Sequence, residues 1–342
     1  MNFGYVFDEG FTVPAAVSIY SLLYNNRHMK EIKLYILDDG IEEESRKKLT
    51  QMVEKFNREI VFVDVKDANK RLSEVTKYNW NGRYSTYLRL MLNSILPDKD
   101  EVIIMIDGDT IVNGKYEYFE HLDLEGYLCA MALESGPNIY HKMSGLGYNE
   151  FYNGGLIAID LKKWREEKAE EKILDFLTNV REKNMLTDED VLSAVFKGKI
   201  KRIPIENNFL TPYYLYASKF YYWYFGWNKL AKKGVFYSLD EMKAARKKAV
   251  MYHCIDTYAN RPWFSNNVHP YTKLFDKYLS KTPWKDYEKK ERKMSFMMKI
   301  EYNLRKYLPR PLSKFMYAFA YRLYYGIGAK IYYRGCNKNT LR

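Results

Sequence analysis

Cysteine is scarce in this chain of 342 residues: only Cys129, Cys254 and Cys336 occur, far apart and odd in number. Three such residues build neither a disulfide framework nor a zinc site, so a reducing compartment is expected. Uncharged apolar runs are short, and none approaches the roughly 18 residues of a membrane-crossing helix. The opening Met-Asn-Phe-Gly-Tyr-Val-Phe meets Asp8 and Glu9 without a basic region or a long apolar core, so it does not read as a signal peptide. Internal repeats are missing, and no Gly-rich loop follows the first strand-like stretch, which excludes a dinucleotide fingerprint and a P-loop.

What the chain has is apolar mass and an uneven charge. With 47% hydrophobic residues it is long enough for one large globular domain or two smaller ones. The net charge is +12, yet residues 285–342 alone hold fifteen Lys and Arg against four Asp and Glu. The preceding residues are nearly neutral and the tail is basic.

Apolar runs alternate with helical periodicity in the first hundred residues. Strands are expected at 3–7, 32–37 and 60–65, and helices at 15–24, with Pro14 in the first turn, and at 42–56. This order predicts a doubly wound, mostly parallel sheet. A helix is expected over 85–96. Next comes the stretch around which the chain is organised: Val102 to Ile106, four of five β-branched, running into Asp107-Gly108-Asp109. A continuous apolar run reads as a strand buried on both faces, and ligands bind at the carboxyl ends of such strands. On an extended strand Asp107 and Asp109 share a face, and Gly108 allows close backbone approach to a ligand. Two carboxylates there suit Mg²⁺ or Mn²⁺ bridging a diphosphate. The same residues also suit an Asx-capped turn.

Further strands are expected at 127–133 and 250–255, the latter carrying His253. Tyr152-Asn153-Gly154-Gly155 reads as a turn into a buried strand ending at Asp160. Helices are expected over 162–183 and, capped by Asp188-Glu189-Asp190, on to Phe196. Residues 211–237 crowd aromatic rings, among them Tyr213, Tyr216, Phe220, Trp223 and Phe225. Aromatic shelves suit the C–H faces of sugars, and ordinary packing also accounts for them.

Taken in order, these pieces resemble the family 8 glycosyltransferases, retaining enzymes that use nucleotide sugars and include bacterial lipopolysaccharide galactosyl- and glucosyltransferases and glycogenin. The resemblance runs from about Asn2 to Lys285. It is carried by residues 16–23, Tyr35 to Ile41, Ser85 to Leu90, Asp107 to Val112, Tyr152 to Gly155, Leu161 to Trp164, and His253 followed by Arg261-Pro262-Trp263. It implies an α/β GT-A fold, Rossmann-like with a mostly parallel central sheet, as catalytic domain 1–284, with 285–342 a separate helical tail.

The resemblance also implies site roles. Asp107, Asp109 and His253 would bind Mn²⁺ or Mg²⁺, which holds both phosphates of a UDP-hexose donor, with Gly108 between the acids. Asp8 matches the position reading uracil, Arg89 one contacting the diphosphate or donor sugar, and Arg261 stands near a phosphate-contacting lysine. Asp188, Glu189 (where many relatives carry glutamine) and Asn153 match positions beside the reacting sugar. The chain departs from the pattern in places. The run from His253 to Trp263 is two residues longer and lacks a glycine. Leu133, with Glu134 next to it, replaces a frequent aspartate, and Asn81 stands where some relatives have histidine.

The tail interleaves basic residues with Phe296, Tyr302, Tyr307, Phe315, Phe319, Tyr324 and others, and Pro309 and Pro311 divide it into two helices. Such basic amphipathic segments settle on anionic membranes. The expected enzyme is therefore a cytoplasmic hexosyltransferase, peripheral on the inner face of the cell membrane, acting on a glycan or glycolipid acceptor of bacterial surface polysaccharide. Nucleic acid is not an expected partner, and a homo-oligomer is compatible with this reading. Two rivals stay open on the residues alone. One is a haloacid-dehalogenase-like phosphohydrolase with Asp107 as nucleophile, and the other a non-catalytic membrane-bound protein on a transferase fold.

Overall fold

The continuous apolar runs form the middle of a sheet. A computed structural model describes residues 1–76, 83–97, 101–135, 146–180, 187–255 and 260–323. Asn81, Tyr324 and Cys336, singled out above, lie outside them. Among the described residues, strands β1 (Asn2–Phe7), β2 (Lys33–Asp38), β3 (Glu59–Asp64), β4 (Val102–Ile106), β6 (Cys129–Leu133), β7 (Tyr152–Asp160) and β8 (Ile200–Arg202) form one sheet. Its order is β3-β2-β1-β4-β7-β6-β8. All strands run the same way except β7, which is antiparallel to both β4 and β6. The mostly parallel α/β sheet is thus as expected. Ile103, Ile104, Met105 and Ile106 are buried, as a strand covered by helices on both faces requires.

A second sheet is made of β5 (Thr110–Val112), β10 (Met251–His253) and β9 (Phe209–Leu210) in that order. The chain leaves the large sheet at Ile106 and enters the small one at Thr110. The Asp-Gly-Asp segment is therefore the crossing between two sheets and not the end of one extended strand.

Two expected helices are each broken where a distant contact decides, and one expected turn is a strand. The stretch 85–96 splits into the turns Ser85–Leu88 and Leu92–Ile95. Arg89 sits at the break with its side chain buried, and the carboxylate of Glu170 takes the backbone N–H of Ser94 (3.0 Å). The stretch 162–183 gives Leu161–Glu166 and Ala169–Asn179, broken at Lys168, whose φ is 51°. A continuous helix would aim Lys168 at the core beneath Trp164; the break brings Ala169, Ile173 and Leu177 there instead. Tyr152 to Gly155 is strand, not turn.

The tail forms the helices Phe296–Tyr307 and Arg310–Leu323. The second packs on the aromatic segment: Tyr317 stacks on Tyr216 (6.3 Å between centroids), and Tyr321 meets Phe225 edge-on (5.9 Å). Most rings of residues 211–237 are spent on such contacts, Tyr213, Trp227 and Phe236 packing together in the core. No helix of the described residues is long and apolar enough to cross a membrane.

Candidate active site

Because β7 is antiparallel to β4 in the register Ile106↔Leu156, its first residues extend past the carboxyl end of β4. The Asp107 N–H donates to the Gly155 carbonyl (3.1 Å), which carries the ladder one step further. The small sheet brings His253 to the same place, since β10 pairs with β5 as His253↔Thr110. A chain of buried hydroxyls fixes the crossing. Tyr5 donates to Ser18 (3.2 Å), Ser18 to Thr110 (2.7 Å), and Thr110 to the Asp107 carbonyl (2.8 Å).

His253 Nε2 lies 3.1 Å from Asp109 Oδ1 and 3.7 Å from Asp107 Oδ2. One ligand atom from each of these three residues lies within 4.8 Å of the others. Asn153 Oδ1 accepts from the Gly155 N–H (3.0 Å) and from Asn208 Nδ2 (2.7 Å), so it is also the acceptor for His253 Nδ1 at 3.1 Å. A proton held on Nδ1 turns the Nε2 position toward the two acids, the tautomer that a metal-binding imidazole needs. Two carboxylates and one imidazole nitrogen form a hard donor set that fits Mn²⁺ or Mg²⁺.

Two glycines make room for this. A Cβ on Gly155 would lie 2.2 Å from His253 Nδ1, and one on Gly154 3.1 Å from Asp188 Oδ2. Gly108 faces elsewhere: a Cβ there would press on Phe11 (3.1 Å) and Ala15 (3.2 Å). Its missing side chain admits the helix Thr12–Asn25, where the sequence suggested approach to a ligand.

Charge in the site is balanced in pairs. Burial pushes the Asp109 carboxyl up, but His253 and Arg261 more than offset it and hold it at about 2. Arg261 Nη1 sits 3.1 Å from Asp109 Oδ2, its guanidinium over the rings of Phe11 and Trp263. Arg89 is buried and bridges three groups: the Gly154 carbonyl (2.6 Å), Asp107, and Asp188, whose Oδ2 is 3.3 Å from Nε. Burial raises Asp188 to about 6 against the pull of Arg89.

Asp188 does not cap its helix. Thr187 does, in a capping box with Asp190, which leaves the Asp188 side chain to face Arg89. Glu189 Oε1 accepts from the Gly154 N–H (2.8 Å) and from Asn153 Nδ2 (3.1 Å). The other proton of that amide goes to Glu134 Oε2 (2.9 Å). Burial, with Glu134 and Asp188 nearby, pushes Glu189 well above the usual carboxylate range. Asp8 follows β1 at the same end of the sheet. It accepts from the Phe11 N–H (3.1 Å) and pairs with Arg83 (3.4 Å).

The structure thus brings Asp107, Asp109, His253, Arg89, Arg261, Asn153, Asp188 and Glu189 into one contact network, with Asp8 outside its hydrogen bonds. Glu134 and Asn208 belong to it as well. The sequence marked Glu134 only as a neighbour of a departure. For Asn208 the available signal was an asparagine pair between the apolar Ile205 and Phe209.

The sequence profile described as Glycosyl transferase family 8 matches residues 2–267. General stress protein A of Bacillus subtilis is 26% identical over 286 residues, covering 81% of this chain and 92% of that protein. A lipopolysaccharide 1,2-glucosyltransferase of Escherichia coli is 24% identical over 306 residues, covering 88% of this chain and 84% of that one. Among solved structures, the galactosyltransferase LgtC with donor and acceptor sugar analogues superposes with a TM-score of 0.66 at 18% identity, covering 83% of this chain and 96% of that one. The bifunctional glycosyltransferase WbbM also gives 0.66, and this chain spans 50% of its length. These likenesses identify the architecture as the GT-A fold. With its sequence matched over most of its length, this chain belongs to glycosyltransferase family 8.

Proposed function

We propose that this protein transfers glucose or galactose from a UDP-sugar to a glycan or lipid-linked acceptor in bacterial surface polysaccharide assembly, with retention of anomeric configuration. The observation that carries the reading is the cluster of Asp107, Asp109 and His253 at the carboxyl end of β4, with Nδ1 of the histidine tied to Asn153. The relatives named for lipopolysaccharide glucosyl and galactosyl transfer support the acceptor class.

In the reaction the bond from the sugar's anomeric carbon to the phosphate oxygen breaks, and one to an acceptor oxygen forms. Asp107, Asp109 and His253 would hold Mn²⁺, which neutralises charge on the departing nucleoside diphosphate. Arg89 and Arg261 keep the surrounding acids compensated, so an anionic donor does not enter a purely negative site. Asp188, at about 6, is ionised at neutral pH and is the carboxylate assigned to the developing oxocarbenium charge. Glu189, whose burial and acidic neighbours push its carboxyl well above the usual range and so favour the uncharged form, stands where many relatives carry an uncharged side chain. Asp8 and Arg83 offer a carboxylate and a guanidinium for a uracil edge. The basic tail would hold the enzyme at the cytoplasmic face of the membrane, where a lipid-linked acceptor lies.

The test is UDP release from a panel of UDP-sugars without acceptor, in Mn²⁺ and in EDTA, alongside Asp109→Ala. Metal-dependent hydrolysis of one sugar, lost in the variant, is expected. Absence of turnover and binding for every UDP-sugar would overturn the reading. A phosphoenzyme at Asp107 would revive the phosphohydrolase alternative.

A further inference from the structure

Large apolar side chains exposed among the described residues are not scattered. Ten of thirteen lie in the two tail helices and in the helix Lys219–Tyr224 of the catalytic body. Leu312, Phe315, Met316, Phe319 and Leu323 follow one face of the helix Arg310–Leu323. That helix buries its opposite side, with Ser313 and Ala318, against the aromatic segment. Phe315 touches Phe220 (6.2 Å), and Phe220 touches Trp223 (6.3 Å), so the apolar face continues from the tail onto the body. Trp223 is 65% exposed and Phe220 46%. The joint is fastened by Lys314 donating to the Leu215 carbonyl (2.8 Å) and Arg322 to that of Tyr224 (3.1 Å).

The two segments that make this face are free of acidic residues, which begin only at their edges with Asp240, Glu241 and Glu301. Residues 211–239 contain four lysines and no acidic residue, and residues 302–323 contain no acidic residue either. Lys219, Lys299, Lys306 and Arg310 are exposed. A contiguous patch of aromatic and aliphatic side chains with a mainly basic surround matches the interface of a bilayer containing anionic lipid, where Trp and Phe settle at headgroup depth.

We propose that the membrane-docking surface is composite: Phe220 and Trp223 of the catalytic body insert into an anionic bilayer together with the face of the helix Arg310–Leu323. This rests on the reading that the tail meets an anionic membrane and goes beyond it, because the tail alone is not the anchor. The body is held against the lipid in a fixed orientation.

The test uses the full chain and vesicles of phosphatidylcholine with about one-third phosphatidylglycerol, against phosphatidylcholine alone. Co-sedimentation with the anionic vesicles is expected, weakened by salt. The double variant Phe220→Ser/Trp223→Ser should weaken it about tenfold or more, because two interfacial rings are lost. Leu312→Ser/Leu323→Ser, on the tail helix, should weaken it comparably. All four side chains are exposed, so their truncation opens no cavity. UDP-sugar hydrolysis in solution should be unchanged in both variants, which separates this proposal from the enzymatic one. Vesicle binding equal to wild type in Phe220→Ser/Trp223→Ser would overturn it, as would no binding by the wild type. A wild-type dimer in sedimentation that these substitutions dissociate, without vesicle binding, would assign the face to a second copy of the chain and also overturn it.

Discussion

Asn153 is the side chain on which the site's hydrogen bonds converge. Its carbonyl accepts from Gly155, Asn208 and His253, and its amide donates to Glu134 and Glu189. The family resemblance implied a place for Asn153 beside the donor sugar. In the structure its polar atoms are engaged with protein, which makes it the residue that orients His253. Asn153→Ala should therefore weaken Mn²⁺ binding about 10–100-fold, measured by metal titration on folded protein. Unchanged affinity would remove the orienting role. A second buried histidine gives a pH test. His269 accepts from the Tyr271 N–H at Nδ1 (3.3 Å) and donates from Nε2 to Thr211 (3.0 Å), whose hydroxyl donates to the His253 carbonyl (3.0 Å). A charged ring would set a second N–H against that of Tyr271, and burial lowers the His269 pKa to about 3. The unfolded chain binds this proton below about 6.5 and the folded one does not, so the stability from this group is complete above 6.5 and lost as pH falls toward 3. Asp188, raised to about 6, acts with the opposite sign between its ordinary value and 6. Denaturant titrations of wild type and His269→Asn should thus converge as pH falls from 7 to 4; parallel curves would show that His269 is not held neutral.

At the scale of elements, the helix Asp188–Val195 and strand β7 set the positions of the catalytic candidates. Thr187→Ala removes the capping box and should cost about 1 kcal/mol by denaturant unfolding. Turnover should fall further than that, because Asp188 and Glu189 occupy the first turn. Gly155→Ala would drive a methyl group into the His253 ring and should abolish metal binding while the large sheet still forms, giving near-native far-ultraviolet circular dichroism. These elements also show what was legible in the sequence. Most of the parallel strands announced themselves as short, largely apolar stretches such as Leu34 to Leu37 and Val102 to Ile106, and the mostly parallel α/β sheet follows from them. Local pattern missed the breaks at Arg89 and Lys168 because distant groups, Gly154, Glu170 and the core under Trp164, decide them. Thr187 was overlooked as a cap because three acids follow it, and any of them suits a helix start. Asp107, Asp109 and His253 stood out through motif order, but Glu134 and Asn208 join them only through β7, whose reversed direction no local pattern reveals.

For the whole molecule, the proposed metal ligands straddle two sheets. Asp107 and Asp109 lie where the chain crosses from the large sheet to the small one, and His253 comes from the small sheet. A cation held by all three would bind only the folded arrangement. At a hundredfold excess over its Kd, Mn²⁺ should add about 2.7 kcal/mol of stability, seen as a raised Tm that EDTA reverses and Asp109→Ala lacks. The crossing has a further consequence through thermodynamic reciprocity. Whatever factor the cation contributes to assembly of the small sheet, that assembly contributes equally to affinity for the cation. A substitution at Phe209 or Met251, which touches no ligand, will then show itself as a weaker metal site. On the proposed function, the same linkage acts as an assembly check. A chain whose small sheet has not formed lacks the full ligand set, so it leaves the nucleotide sugar intact instead of splitting it to no purpose.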